Sequence, residues 1–291
     1  MAIETSGAVG SVAAALEGEV VAEESFERGM RHGRELVARL AGLCRRISRP
    51  PRTIDAVAVS AGPGSYTGVR VGVTCAKTLA AAIAWLRSPP VLGQAPSPAP
   101  RGPGLGKPAP IGVTPPKPAP LGRGEGREPH TATLQPAVIP AALVAVRTLE
   151  VLAQNADPQA DRVAVVVDAR RGQFYAAFFR RDGGELLQEG EDLVLDPGEL
   201  WTRLTPGTLI VGDAAVRYPE MLRGAGAAPE VRLAGPEAAV ARARHVARLG
   251  WRDFSAGRTL PPHDLTPIYL RRPEAVDRLL SRHQRDHLPD A

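Results

Sequence analysis

Length, composition and charge set the first limits. The chain has 291 residues, enough for one large domain or two lobes that each bury a core, and 44% of the residues are hydrophobic. No run of about 18 apolar residues lacks a charge, and the opening MAIETSG has neither the basic nor the apolar region of a signal peptide. We therefore expect a cytoplasmic protein without a membrane span.

The net charge of +5 lies mostly in one segment. Residues 89–140 contain five Arg or Lys and two Glu, a balance of +3, which leaves +2 for the rest of the chain. The same segment holds 15 of the 29 prolines and eight glycines, so we interpret residues 87–140 as a disordered insertion. The remaining chain is nearly balanced and aromatic residues make up only 4%, which disfavours direct nucleic-acid binding by the folded part.

Strand and helix patterns alternate through the first part of the chain. Hydrophobic periodicity predicts strands at residues 2–5, 11–16, 20–27, 56–60 and 141–146. It predicts helices at residues 36–47, 67–86 and 148–155. The two cysteines, Cys44 and Cys75, fall inside the predicted helices without a CxxC spacing, so we assign them no metal or redox role.

A second group of elements is predicted from residue 157 onward. Residues 162–167 and 173–180 resemble a hairpin around DARRG, in which Gly172 suits a positive φ. Further strands are predicted at residues 185–189 and 208–211, and further helices at 198–204 and 237–256. Strands that alternate with helices predict an α/β fold with mixed sheets covered by helices.

The most distinctive motif is the glycine-rich loop SAGPGSYTGVRVG, from Ser60 to Gly72. It is not a Walker A loop, because Gly68 is followed by Val69 and not by lysine, and it fits neither the dinucleotide fingerprint nor the nucleophile elbow. Two interpretations stay open: a site for a nucleotide or another anion, or a capped turn that aims the following helix. The residues of the candidate anion site are Thr5, Ser6, Gly62, Gly64, Ser65, Thr67 and Gly68.

Five segments resemble landmarks of one protein family, in family order. They are AIETSG from Ala2, RHGREL from Arg31, GPGSYTGVRVG from Gly62, VVDARRGQFYAAFF from Val166 and TPIYLRRPEA from Thr266. Together they are similar to the TsaB (YeaZ) family, the dimerisation subunit of the bacterial tRNA threonylcarbamoyladenosine complex and a degenerate paralogue of the TsaD transferase. The resemblance implies a two-lobed actin, hexokinase and Hsp70-like fold (ASKHA, ribonuclease H-like) with a degenerate second lobe.

The domain organisation follows from this resemblance and from the insertion. Residues 1–86 and 141–156 are expected to form an N-terminal lobe with partner-docking helices. Residues 87–140 are the Pro/Gly-rich insertion, and residues 157–291 are expected to form a C-terminal lobe and a polar tail.

The turns that bind nucleotide in catalytic members of the superfold are poor in glycine here. Glu4-Thr5-Ser6 and Asp168-Ala169-Arg170 lack the glycine of an Asp-x-Gly turn, and the loop near Val211 to Ala214 is also glycine-poor. His283 and His287 are spaced by four residues, but they lack a third ligand and a general-base Glu. We predict no catalytic residues and no metal in this chain; the alternative is an active ASKHA-type ATPase or a glycoprotease-like hydrolase.

The helix over residues 67–86 has two apolar faces to bury. From sequence alone the second face fits either the neighbouring helix or a partner, and the resemblance favours a partner: a TsaD-type transferase, with a TsaE-type P-loop ATPase joining the assembly and tRNA contacted only indirectly. A homodimer is also possible, no cofactor is expected on this chain, and ATP and metal are expected on the partner subunits. The predicted interface residues are Leu36, Leu40, Leu43, Val69, Val73, Ala76, Ala80 and Ile83.

Overall fold

Two mixed five-stranded sheets dominate the structure. It is a computed structural model that describes residues 1–27, 32–87, 140–223 and 230–271. The first sheet contains β1 (Ala2–Glu4), β2 (Val9–Leu16), β3 (Glu19–Glu27), β4 (Ala56–Gly62) and β5 (Ala142–Arg147). The second sheet contains β6 (Arg162–Asp168), β7 (Phe174–Asp182), β8 (Glu185–Leu195), β9 (Leu209–Val211) and β10 (Arg232–Leu233).

Both sheets have the same topology. The first sheet has the order β3-β2-β1-β4-β5 and the second the equivalent order β8-β7-β6-β9-β10. In each sheet the opening three strands form an antiparallel meander, and the last two strands add in parallel on the other side of the first strand. This repetition confirms the predicted α/β fold built from two similar halves.

The helices cover both faces of both sheets. They are α1 (His32–Arg46), α2 (Tyr66–Arg87), α3 (Thr148–Ala153), α4 (Pro197–Arg203), α5 (Asp213–Arg217), α6 (Pro219–Arg223) and α7 (Ala243–Ser255). One hydrophobic core lies between α1, α2 and the first sheet, a second lies between the two sheets around α3 and α7, and a third lies between the second sheet and α4 to α6. Helix α7 approaches the first sheet so closely that a Cβ on Gly250 would lie 2.4 Å from the Cβ of Ala58.

The predicted helix over residues 237–256 is wrong in its first third. Residues Pro236–Ala239 form a 3₁₀ turn, and Val240 and Arg242 have extended dihedral angles before α7 begins at Ala243. The Asn155 side chain donates hydrogen bonds to the carbonyls of Ala238 (3.3 Å) and Val240 (2.9 Å). Both carbonyls are therefore hydrogen-bonded to a residue 83 to 85 positions away in the sequence. Hydrophobic periodicity cannot detect such a long-range contact.

The C-terminal residues 256–271 connect the two halves as a strap. Leu260 pairs with Leu143 in the first sheet, Leu265 is fully buried, and the Ile268 amide donates to the Ala61 carbonyl at 2.7 Å. Arg271 then donates to the Ala169 carbonyl of the second half at 3.0 Å. Most of the predicted insertion, and His283 and His287, lie outside the described residues.

Helix α2 is the one described helix long and apolar enough to cross a membrane by length and mean hydropathy. It contains Arg70 and Lys77, and its face formed by Val69, Val73 and Ile83 is buried against the first sheet. Burial of a large aliphatic side chain contributes about 2 kcal/mol, so this packing fixes α2 in the first half of the molecule.

Candidate functional site

The glycine-rich loop leads from the end of β4 into α2 and packs on the turn between β1 and β2. Its glycines serve this contact. A Cβ on Gly64 would lie 2.8 Å from the Ser6 carbonyl oxygen, and a Cβ on Gly68 would lie 2.0 Å from the Thr5 carbonyl oxygen. Any other residue at Gly68 would therefore collide with the backbone of the turn that follows β1.

Several polar groups of this loop are hydrogen-bonded within the chain. The Ser65 amide donates to the Ser6 carbonyl at 2.8 Å, and the Thr5 hydroxyl donates to the Gly68 carbonyl at 2.8 Å. The Gly68 amide donates to the Ser65 hydroxyl at 3.3 Å, the local contact of a helix cap. Thr67 is exposed on the first turn of α2. This pairing supports the capped-turn interpretation, while anion binding by the loop stays a prediction.

A buried carboxyl group lies at the first turn. Glu4 is fully buried; its Oε1 accepts hydrogen bonds from the Ser6 amide (2.5 Å) and the Ser6 hydroxyl (2.6 Å). Its Oε2 is buried and has no partner in the described part of the chain. Burial raises the pKa of Glu4, and the hydrogen bonds from Ser6 oppose this shift only in part. An ionised carboxylate here would repel a phosphate approaching the same turn.

We predict that Glu4 makes the protein less stable as the pH rises. Because the pKa of Glu4 is higher in the folded than in the unfolded chain, the free energy of unfolding falls from about pH 4.5 up to the folded pKa and stays low above it. The Glu4→Gln variant should lose this dependence and have a higher thermal midpoint at pH 7. The exposed Glu19→Gln is the control, and parallel pH profiles for wild type and Glu4→Gln would contradict the prediction.

The second turn is occupied by the chain's own arginines. The Asp168 Oδ2 accepts from the Arg217 guanidinium (2.8 Å) and the Tyr218 hydroxyl (3.2 Å), and its Oδ1 accepts from the Arg170 amide (2.7 Å). Arg170, Arg171 and Gly172 all have positive φ angles, of 63°, 57° and 69°. The positive φ predicted for Gly172 is confirmed. The Asp168 carboxylate is already saturated with protein donors, which leaves it little capacity to hold a metal or its water shell.

Metal-binding geometry is missing from the described part of the chain. No group of three or more His, Cys, Asp or Glu residues there is arranged to hold a metal ion. The carboxyl group of Glu4 is buried, and that of Asp168 is hydrogen-bonded to protein donors.

An apolar groove of about 590 Å³ runs between α1 and α2 on the outer surface of the first half. Its walls are formed by Val37, Ala41, Cys75, Leu79, Ala82 and Leu86. Val37 is 61% exposed and Leu86 is 42% exposed. Burial raises the pKa of Cys75 to about 11, so the thiol stays protonated and adds to the apolar surface. Within one copy of the chain, α1 does not cover the second face of α2.

The predicted interface residues lie mostly beneath this surface. All eight are buried at 4% exposure or less and pack in the core between α1, α2 and the first sheet. Leu36, Leu40 and Ile83 reach the floor of the groove, whereas Val73 and Ala80 face the sheet. A partner in the groove would therefore contact mainly neighbouring positions, together with Leu36, Leu40 and Ile83, and the interface itself stays a prediction.

An exposed cluster of two tyrosines and an arginine lies beside the groove. The Arg70 guanidinium lies 3.9 Å from the centre of the Tyr66 ring and donates to the Tyr269 hydroxyl at 2.8 Å. The two rings are 5.3 Å apart, and Tyr66 and Tyr269 are 45% and 39% exposed. Tyrosine and arginine are the residue types most enriched at the energetic centres of protein interfaces. The sequence gives no signal for this cluster, since Tyr269 is 199 positions from Arg70.

Comparison with known proteins finds sequence similarity over part of the chain and structural similarity over most of it. Residues 27–85, which span α1 and most of α2, match the family described as TsaD, tRNA N6-adenosine threonylcarbamoyltransferase. Over 80 residues the chain is 38% identical to the tRNA threonylcarbamoyladenosine biosynthesis protein TsaB of Bacillus subtilis. That stretch covers 28% of this chain and 35% of the relative, so it spans about a third of that protein.

Two solved structures share the whole fold. YeaZ from Pseudomonas aeruginosa has a TM-score of 0.64 and 20% identity, over 92% of this chain and 98% of that one. A second structure, described as an uncharacterized protein with similarity to peptidase YEAZ from Pseudomonas aeruginosa, has the same TM-score and identity over 92% of this chain and 97% of its own.

The two similar halves give the chain the α/β fold of the YeaZ structures, and the segment with α1 and α2 is similar to the tRNA N6-adenosine threonylcarbamoyltransferase family. Over these stretches the chain is similar to the TsaB (YeaZ) proteins.

Proposed function

We propose that this chain is a non-catalytic dimerisation subunit of a tRNA threonylcarbamoyladenosine complex. It binds a TsaD-type transferase, which transfers a threonylcarbamoyl group to the adenosine next to the anticodon of tRNAs reading ANN codons. The observation that carries this proposal is the uncovered apolar groove between α1 and α2. Contiguous exposed apolar surface of this kind is typical of a protein interface.

The transferase is the favoured occupant because the groove lies in the segment that matches the transferase family. Residues 27–85 contribute nearly all of the groove, and they are the part of this chain that aligns with TsaD. Paralogues that keep a common surface can pair through it about a pseudo-two-fold axis, with each α1/α2 pair packing on the other. Such pairing would bury Val37 and Leu86, which are exposed in the described part of the chain.

The state of the two turns supports the proposal that this chain is not catalytic. The glycine loop is used in packing on Thr5 and Ser6, Glu4 is buried, and Asp168 is paired with arginine and tyrosine. ATP and metal would then be held by the transferase and by a TsaE-type P-loop ATPase that joins the assembly. In this division of roles, the chain acts through the groove between α1 and α2 and not through a catalytic cleft.

Affinity purification tests the proposal. The tagged full-length chain is captured from lysate of its own organism, and the bound proteins are identified by mass spectrometry. We expect a TsaD-type transferase at near-equal amount, with a TsaE-type ATPase when ATP is supplied. Recovery of neither protein would overturn the proposal.

Purified chain without partners should not hydrolyse ATP or peptides. The paired state of Asp168 and the burial of Glu4 leave neither carboxylate free to position a metal-bound water. ATP turnover by the isolated chain that disappears in the Asp168→Asn variant would instead support the alternative of an active ATPase.

A further inference from the structure

Three arginines form a strip where α7 begins. Arg242 is the last extended residue before the helix, and Arg244 and Arg248 lie one turn apart on its exposed side. We refer to Arg242, Arg244 and Arg248 as the arginine strip. The sequence shows only an arginine-rich segment; the structure places these three side chains around common cavities.

Two neighbouring cavities share the strip. The first, of about 270 Å³, is lined by all three arginines together with Asn155, His245 and Glu237. The second, of about 310 Å³, lies between Arg244, Arg248 and strand β3. Each is large enough for a phosphate group with its waters, and the arginines separate them. An extended anionic chain could therefore contact the strip on both sides.

Positive charge on the strip is only partly compensated. Arg244 forms a salt bridge with Glu23, whereas neither Arg242 nor Arg248 has an ion-pair partner in the described part of the chain. Glu237 is the remaining carboxylate at the first cavity. The three arginines are therefore opposed by two carboxylates, Glu23 and Glu237. Guanidinium groups bind phosphate oxygens through paired N–H donors, and two of the three are available to do so.

The backbone amides of α7 are already used by the fold. The Ala243 amide donates to the Ser11 hydroxyl at 2.8 Å, and the Arg244 amide donates to the Glu23 carboxylate at 3.0 Å. Binding at this place would therefore depend on the arginine side chains and not on the helix N-terminus. Burial and the neighbouring arginines lower the pKa of His245 to about 4, which agrees with a positive local potential.

An exposed aromatic ring continues the same face of the helix. Trp251 lies three residues after Arg248, which lies four residues after Arg244. Its indole is 39% exposed, and its other side packs on Gly18. Arginines followed by an exposed indole are typical of surfaces that bind single-stranded nucleic acid, where bases stack on the ring and phosphates meet the guanidinium groups.

We propose that the arginine strip binds the phosphate backbone of RNA directly. The substrate class is tRNA, which rests on the proposed function; this chain would then contact the tRNA itself and not only through the transferase. Inorganic phosphate has the same oxygen acceptors as the RNA backbone but no bases. An acidic protein has the negative charge of RNA but neither phosphate groups nor bases. The observations favour RNA because charge and an aromatic ring occur on one face.

Binding of labelled tRNA to the purified full-length chain, followed by fluorescence anisotropy at about 50 mM salt, tests the proposal. The double variant Arg242→Gln, Arg248→Gln should bind at least tenfold more weakly, since each lost phosphate contact removes about one released counterion. The slope of log affinity against log salt should fall by about one for each arginine. Arg203→Gln, an exposed arginine on α4, is the matched control and should behave as wild type.

The outcomes separate this proposal from the proposed function. Equal tRNA affinity of wild type and double variant would overturn it, whatever proteins copurify with the chain. Competition by polyglutamate at the same charge concentration as tRNA would also overturn the RNA proposal, in favour of an acidic protein partner. Full competition by equimolar phosphate would overturn it in favour of a small-anion site. Weakened tRNA binding with unchanged thermal midpoint and unchanged capture of the transferase would support it.

Discussion

A single glutamate in the α1/α2 groove is expected to abolish binding of the transferase. Ala82 lies exposed on the groove wall of α2, so Ala82→Glu should leave the isolated fold within about 0.5 kcal/mol of wild type. In the complex the added carboxylate would be buried without a partner, at a cost of several kcal/mol, or roughly a 100-fold or greater rise in Kd. Val37→Glu, on the opposite wall, should have the same effect.

The neighbouring residue supplies a matched control. Ala81 is also exposed on α2 but does not line the groove, so Ala81→Glu adds the same charge to the same helix without entering the interface. Isothermal titration of the purified transferase with each variant measures the difference, and circular dichroism checks the fold. Equal affinities for Ala81→Glu and Ala82→Glu would show that the partner binds elsewhere.

The same pair of variants reports on self-association. If copies of this chain pair through the groove when the transferase is absent, sedimentation velocity should show a dimer for wild type and Ala81→Glu and a monomer for Ala82→Glu. A homodimer that persists in Ala82→Glu would place the contact between copies on another surface.

The fold was predictable from the sequence because its signals are local. Strand alternation, the turn at Glu17 and Gly18, and the positive φ at Gly172 depend on residues close in the chain. The two-half architecture was implied by the family resemblance and not by the periodicity. By contrast, the long extent of β8, which reaches Leu195, depends on pairing with β7 and was predicted only as far as residue 189.

The docking face stays a prediction, and its predicted residues lie mostly in the core beneath the open groove. Periodicity finds the most apolar stripe of a helix, and in α2 that stripe, with Val73 and Ile83, is the one its own sheet buries. The second stripe, with Cys75 and Leu79, was recognised as apolar but could not be assigned to a partner by pattern alone. Only the position of α1 shows that this stripe is left open.

The arginine strip was hidden for a related reason. The predicted helix ran through Arg242 without interruption, and the net charge of the folded part gave no indication of clustering. Asn155, Ser11 and Glu23 fix the break before α7, and all three are distant in sequence. A local charge arrangement that depends on such long-range contacts cannot be predicted from composition.

The glycine loop was the clearest motif and also the most ambiguous one. Glycines allow a backbone to approach either a ligand or another backbone, and the sequence does not distinguish these cases. In the structure the approach is to β1, through Gly64 and Gly68. This packing holds the start of α2, and with it one wall of the groove, at a fixed position on the first sheet.

Replacing Gly68 by alanine should therefore be among the most destabilising single changes in the chain. The new Cβ would lie 2.0 Å from the Thr5 carbonyl oxygen, so either β1 or the first turn of α2 must move. We expect a loss of about 3 kcal/mol in the free energy of unfolding and a fall of roughly 10 °C in the thermal midpoint. Binding of the transferase should weaken as well, because α2 would shift relative to α1.

Gly42→Ala is the matched control, since Gly42 also lies inside a helix but has open space around it, with the nearest atom 3.9 Å from the added Cβ. That change should stabilise the protein by about 0.5–1 kcal/mol through the helix propensity of alanine. Chemical denaturation of the two variants measures both effects. If Gly68→Ala unfolded at the same denaturant concentration as wild type, the close contact with β1 would not hold α2 in place, and the loop would be available for the alternative role of binding an anion.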